Sequence, residues 1–359
     1  MAEVSVSNFA RAAALALAVT GASAAVAQSD PVQSYDSYQS WLVACDNTLR
    51  CVAKGFADAS DGAEIRIERD AGGSGAVVAT ISSATVFAPS DIRIDGAPAG
   101  LTGAAWAYTR SEDGSSVTSS DLAAIHALVQ KLRGAKRVTL GGIAEDDAAI
   151  PLAGFSAAML RLDDRQGRIG GVTALLNRGS RPASVVPPAP PLPRIARHPV
   201  VARLDPGEEA RLIALVRADQ KALFAKEECQ DTPQQPEAHA LDGAQALVLI
   251  PCIMGAYQGS SLAFIAQRGS GRAQRLVAPM PYRGNDPDRA DADYFTEGSF
   301  DPESGTLSMA ARGRAHADCG VSASWIWDGR AFRLSEMALQ QACGGIEPGD
   351  WPTLFRSEQ

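Results

Sequence analysis

The sequence predicts an α+β protein with two β-rich domains, sandwich-like sheets with a few helices, joined by a proline-rich linker. Three observations carry this. Runs such as "AEIRIERD" (63–70), "AVVATISS" (76–83) and "DIRIDG" (91–96) alternate or cluster β-branched residues between glycine-rich turns, which is strand patterning. The period then changes over "SSDLAAIHALVQKLRGAKRVTL" (119–140), where Leu122, Ile125, Val129 and Leu132 form one helical stripe. Between residues 180 and 204 proline crowds the chain and acids are missing, a composition that favours extended polyproline II over helix or interior strand.

Taken in order, residues 1–27 read as a secretory signal peptide. Arg11 precedes the apolar run Ala12 to Thr20, and Ala25-Val26-Ala27 forms an A-x-A-like cleavage site. The run is well short of the ~20 residues of a spanning helix. The expectation is therefore an exported, periplasmic protein with no transmembrane segment after signal removal.

Export decides how the six cysteines read. An oxidising compartment favours disulfides over thiolate metal sites, no C-x-x-C occurs, and the four histidines are scattered. Cys45 and Cys51 flank "DNTL", good turn chemistry, so they are expected to staple a hairpin. Cys229, Cys252, Cys319 and Cys343 allow three connectivities; the expectation is Cys229 with Cys252 and Cys319 with Cys343.

The N-terminal α+β domain is placed at residues 35–179. Its first helix is expected to be capped by Ser119 or Ser120 and ended by Gly134, with His126 packing beside the stripe. A second helix follows at "GFSAAMLRLDDRQGR" (154–168), then a strand-like "GGVTALLNRG" (170–179). The linker, residues 180–204, carries Arg181, Arg194, Arg197 and Arg203 and is read as a solvated spacer. The C-terminal disulfide-containing β-rich domain, 205–357, opens on a helix over 205–230, with Asp205 as cap and Pro206 at the first position. Strand-like runs fill the rest, with turns at Asp301-Pro302 and Asp328-Gly329.

Chemistry is sparse. "GFSAAM" around Ser156 lacks the second glycine of a nucleophile elbow, and there is no phosphate-binding loop or dinucleotide fingerprint. Asp163 and Asp164 are helix neighbours and point apart. The acidic "NDPDRADADYF" (285–295) fails the calcium-loop template, having neither its turn glycine nor its closing glutamate. No catalytic residue, cofactor or metal ligand is assigned. A net charge of −8 argues against a general nucleic-acid binder.

The candidate binding loop is Arg312, Arg314, His316 and Asp318, beside Cys319. Paired arginine donors suit an anionic ligand or the acidic cleft of another envelope protein. The structural alternative pairs Arg312 or Arg314 with Asp318 inside the fold, with Trp325 and Trp327, two apart on one strand face, in the core.

Five strings, "SWLVACDNTLRCVAKG", "LDDRQGRIGGVTALLNRG", "PCIMGAYQGSS", "ARGRAHADCGVSASWIWDG" and "GDWPTLFR", together resemble the family known as domain of unknown function 1176. The resemblance runs from Tyr38 to Arg356. It implies exported proteins of Gram-negative bacteria and a periplasmic location, and no activity. Where the family often reads K/R-G-R-G-x-G-D-C-G, this chain has Ala315 and Ala317 in place of two glycines. The C-terminal half is also similar, more loosely, to periplasmic β-rich lysozyme-binding proteins, an analogy of fold alone. The function expected is a binding or inhibitor-like module; the alternatives are an envelope scaffold and a hydrolase of envelope carbohydrate or peptide.

Overall fold

Alternation along the first strands decides what each face of the main sheet meets. The computed structural model describes residues 32–57, 62–141, 149–200, 202–280 and 291–358; the expected signal peptide lies outside them. The chain opens with β1 (Ser34–Tyr38), β2 (Trp41–Cys45), β3 (Cys51–Phe56), β4 (Ala63–Arg69) and β5 (Val77–Ser83). Two short strands follow, β6 (Ile92–Ile94) and β7 (Ala97–Pro98), then the hairpin β8 (Ala107–Ser111) and β9 (Gly114–Ser119). An antiparallel seven-stranded sheet results, in the order β1-β2-β3-β4-β5-β9-β8.

One face of this sheet carries an apolar core. Ile65, Ile67, Ala79, Ile81 and Val117 pack with Leu128 and Val129 of α1 (Leu122–Leu132) and with Phe155 and Met159 of α2 (Phe155–Arg165). Burying each larger aliphatic side chain contributes about 1.5–3 kcal/mol. A small sheet of β6, β7, β10 (Arg137–Leu140) and β11 (Ile150–Pro151) closes one side.

The opposite face changes character part way across. At β1–β3 it is apolar apart from Lys54, and Tyr35, Leu42, Ala44 and Phe56 join a cluster that includes Leu249, Trp325, Met337 and Leu354. From β4 onward it presents Glu64, Arg66, Glu68, Thr80, Ser82 and Ser116. Glu64 is buried among charged partners, while Arg66, Glu68 and the hydroxyls keep partial solvent access rather than seek a hydrophobic partner. The C-terminal half therefore covers the sheet where it is apolar and leaves the rest open.

That half begins with α3 (Pro206–Asp219) and α4 (Lys221–Lys226). Its first sheet holds β12 (Glu237–Ala240), β13 (Gln245–Met254), β14 (Gly259–Gln267) and β15 (Ala273–Arg275). Short pairs follow: β16 (Ala278–Pro279) with β17 (Asp291–Ala292), and β18 (Phe295–Thr296) against β14. The last sheet is a meander of β19 (Ser299–Asp301), β20 (Thr306–Arg312), β21 (Gly320–Trp327), β22 (Phe332–Gln340) and β23 (Thr353–Arg356). Five sheets and four α-helices among the described residues make a β-rich α+β fold.

Several local expectations need correction. The cap of α1 is Asp121, whose carboxylate accepts from the Ala124 N–H at 2.8 Å; an acceptor nearer the first turn displaces the two serines. "GGVTALLNRG" forms no strand beyond a bridge at Gly171, because the Leu175 and Leu176 amides are taken by the Asp163 carboxylate. The expected helix over 205–230 is broken at Gln220, which caps α3 and opens α4. Asp205 caps α3 as expected, accepting from Glu208 N–H at 2.7 Å.

Residues 31–359 form one compact unit. Along the 180–204 segment Val186 and Val200 are buried, Ala183–Val185 makes one 3₁₀ turn, and Arg194 pairs with Glu358 at 2.7 Å. The His198 amide donates to the Trp327 carbonyl at 3.0 Å, so the segment is laid along the protein surface by backbone as well as side-chain bonds.

Candidate functional site: a charged cleft beside the stapled hairpin

The cleft is built from the hairpin outward. Cys45 and Cys51 sit opposite each other in the β2–β3 ladder and are joined as a disulfide. The buried Asp46 organises the turn between them. Its carboxylate accepts from the Thr48 amide at 2.8 Å, the Thr48 hydroxyl at 2.7 Å and the Arg50 amide at 3.0 Å. Asn47 then reaches across to β23. Its side-chain amide donates to the Arg356 carbonyl and accepts from the Arg356 N–H, both at 3.0 Å, as a strand neighbour would. Arg356 completes the hook, with Nε 2.7 Å from Asp46.

Further along β3, Lys54 makes a second connection. Its side chain is only 1% exposed, a costly place for an ammonium without partners. Four acceptors surround Nζ: Gln340 Oε1 at 3.1 Å, the Asp350 carbonyl at 3.0 Å, Glu64 Oε2 at 3.4 Å and Asp350 Oδ2 at 3.6 Å. Burial pulls the ammonium down to about 8 from its ordinary value, with Glu64 opposing. Arg66 lies beside it, pairing with Glu64 at 3.2 Å, with Glu68 at 3.4 Å and with Asp350.

Two adjoining cavities open where this cluster meets the uncovered half of the sheet, and they share Arg66, Glu68 and Asp350. The smaller, about 230 Å³, lies by Arg50, Arg356 and Trp351. The larger, about 420 Å³, runs over Thr80, Ser82, Ser116, Thr109 and Ser111 toward Glu347. Five carboxylates line it (Glu64, Glu68, Asp113, Glu347, Asp350) against the single guanidinium of Arg66. Asp113 and Glu347 have no ion-pair partner among the described residues.

The sequence-predicted loop stands behind this cleft. Arg314 forms a two-pronged pair with Asp318, one contact being Nε to Oδ1 at 2.7 Å, and this holds the carboxylate below its usual range. Arg312 lies over the Tyr257 ring at 5.4 Å and donates to the Tyr257 carbonyl at 2.8 Å. Gln258 clamps the Arg312 backbone in the same two-bonded manner that Asn47 uses on Arg356. His316 is exposed. The loop is tied to the cleft by Gln340, whose amide donates to the Asp318 carbonyl at 2.7 Å while its oxygen accepts from Lys54. Ala317 adds two more ties, its carbonyl accepting from Gly349 N–H at 2.8 Å and from Trp351 Nε1 at 3.0 Å. Both arginines are thus engaged within the protein, and Trp325 and Trp327 are core residues.

The remaining disulfides are Cys229–Cys252 and Cys319–Cys343, the neighbour pairing of the sequence reading. Asp318, Cys319 and Cys343 bring ligand-type atoms within 4.8 Å of one another, but both sulfurs are engaged in the disulfide. Of the acidic run 285–295, Asp286 and Asp288 lie outside the described residues, and Asp293 sits 3.5 Å from Arg275.

A second buried cluster serves shape. Asp163, fully buried on α2, accepts the Leu175 and Leu176 amides, and burial pushes its carboxyl up against their opposing pull. Asp164 faces solvent and pairs with Arg161. Arg69 donates to the Thr173 carbonyl at 2.6 Å and is lowered by burial to about 10. Arg168 bonds the carbonyls of Asp70 and Gly72 and the side chains of Gln166 and Thr173. His126 meets the Ala174 carbonyl at 2.9 Å, and burial lowers its pKa.

Sequence reasoning missed Lys54, Glu64, Arg66, Gln340 and Asp350. A lysine at an inward-facing position of the otherwise apolar run "CVAKGFA" was the one available signal.

A family model described as a protein of unknown function (DUF1176) matches residues 35–358. An uncharacterized protein, YpfG, of Escherichia coli strain K12 is 31% identical over 332 residues, covering 89% of this chain and 92% of that relative. No solved structure matches. Residues quoted from three of the five family-like strings are linked at the cleft's edge: Asn47 and Lys54, Asp318 through Gln340, and Asp350 with Arg356. The chain belongs to the DUF1176 family.

Proposed function

We propose that this is an exported, periplasmic binding protein whose ligand seat is the cleft over β4, β5, β9 and β8, and that the ligand is polar and carries positive charge. The carrying observation is the roughly 420 Å³ cavity, lined by five carboxylates, one guanidinium and a row of hydroxyls. Support for export comes from the N-terminal reading together with three disulfides; no helix among the described residues is long and apolar enough to cross a membrane. Lys54 and Gln340 support the segment 344–350, which overhangs the cleft's edge and lines it with Ile346, Glu347 and Asp350. The 312–318 loop braces that overhang from behind.

The test is chemical-shift mapping with three simple probes: spermidine, citrate and a neutral N-acetylglucosamine oligomer. The reading expects spermidine to shift amides at 64–68, 80–82, 109–116 and 346–350, with citrate leaving them unmoved. Spermidine shifts confined to other surfaces, or none at all, would overturn it.

A further inference from the structure

We infer that the cleft takes an extended basic polypeptide, which adds as a strand to the outer edge of β8; this rests on the reading of the cleft as a cation seat. β8 is the last strand of the seven-stranded sheet, and all five of its residues are exposed. Among the described residues no backbone group is bonded to its outer edge. It is nevertheless held in shape, since the Tyr108 hydroxyl donates to the Phe87 carbonyl at 2.8 Å from the sheet's other face. The turn at Glu112-Asp113 makes Ser111 and Gly114 the closing pair of the hairpin. By alternation, Tyr108 and Arg110 then turn their N–H and C=O groups away from β9 and toward a free edge.

A strand added there continues the sheet, and alternate side chains fall on the face that Thr109 and Ser111 share with the cavity. Asp113, in the turn that joins β8 to β9, and Glu347, farther along the same cavity, are its two lining carboxylates without ion-pair partners among the described residues. Charge complementarity therefore selects lysine or arginine at every second position of the incoming segment, and the main-chain ladder selects a polypeptide over a glycan.

The probe is the peptide acetyl-Lys-Thr-Lys-Val-Lys-Thr-amide, titrated into the intact protein. Two versions N-methylated at alternate amides, one in each frame, and a counterpart with Glu for Lys accompany it. Strand addition predicts that one methylated frame weakens binding by about tenfold or more while the other binds like the parent. Slowed hydrogen exchange at Tyr108 and Arg110, weakening by salt and no binding of the Glu peptide are also expected. If both frames bind like the parent, strand addition is wrong while the cation seat stands. If spermidine shifts the cleft and the peptide does not bind, the ligand is a small cation and the inference fails alone. An N-acetylglucosamine oligomer occupying the cleft in place of both cationic probes would overturn the inference and the cation reading together.

Discussion

Lys54 and Gln340 stand 286 positions apart in the chain, and the lysine ammonium donates to the glutamine side-chain oxygen at 3.1 Å inside the protein. The same glutamine donates through its nitrogen to the carbonyls of Asp318 and Gly344, both at 2.7 Å. One amide therefore joins the stapled hairpin, the loop at Cys319 and the overhang that ends at Asp350. Both ends of the amide are used, so a substitution at either residue strands a buried partner.

Lys54→Met leaves Glu64 with Arg66 as its remaining partner and frees the Gln340 and Asp350 acceptors. It is expected to destabilise the protein by about 3 kcal/mol, the scale for breaking a buried pair. The double variant Lys54→Met/Glu64→Met removes both charges and is expected to be more stable than the sum of the single losses allows. Urea unfolding of the four proteins checks this; strict additivity would show that the pair is not coupled.

Ala317 has a φ of +57°, the left-handed region that a Cβ disfavours. Ala317→Gly is expected to raise stability by up to about 1 kcal/mol. Ala315 is not among the residues with positive φ, so Ala315→Gly is expected to be neutral or mildly destabilising. Thermal unfolding of the two variants should separate them in that order.

His126 is held below its ordinary pKa by burial, and its ring meets the Ala174 carbonyl. Below about pH 6.5 the unfolded chain takes up a proton at this ring while the folded one resists, so stability falls with pH. Above that window both states are neutral and the residue contributes no slope. The melting temperature should drop more steeply between pH 7 and pH 5 in the wild type than in His126→Gln. Parallel curves would count against this account.

Much of this was legible in the sequence. Alternation placed the strands around Ile65, Ile67, Val77 and Ile81, and the turn chemistry of Asp46-Asn47 between two cysteines marked the hairpin. The cleft was not legible, because it arises from long-range meetings: Lys54 with Asp350, Asn47 with Arg356. Local pattern also failed at residues 170–179, where a buried carboxylate, Asp163, captured the amides that a strand would have used. The 312–318 loop was legible as a charged segment beside Cys319. Its arginines turned out to have partners within reach, a fact that only geometry supplies.

The apolar end of the main sheet shares a cluster with the C-terminal half, through Tyr35, Leu42, Ala44 and Phe56. Expressed apart, residues 35–179 and 205–357 would each expose that face. Neither fragment is expected to give a cooperative melt alone, while co-expression should restore one. A sharp transition in either isolated fragment would establish an independent domain there.

The central claim is that the acid excess of the cleft holds a cationic ligand, and spermidine titration into wild type and Asp113→Asn/Glu347→Gln tests it most directly. Both carboxylates are exposed, so the variant should melt like the wild type. The account predicts saturable wild-type binding that weakens with salt, and about a tenfold loss of affinity in the variant. Equal affinity in the two proteins would contradict it.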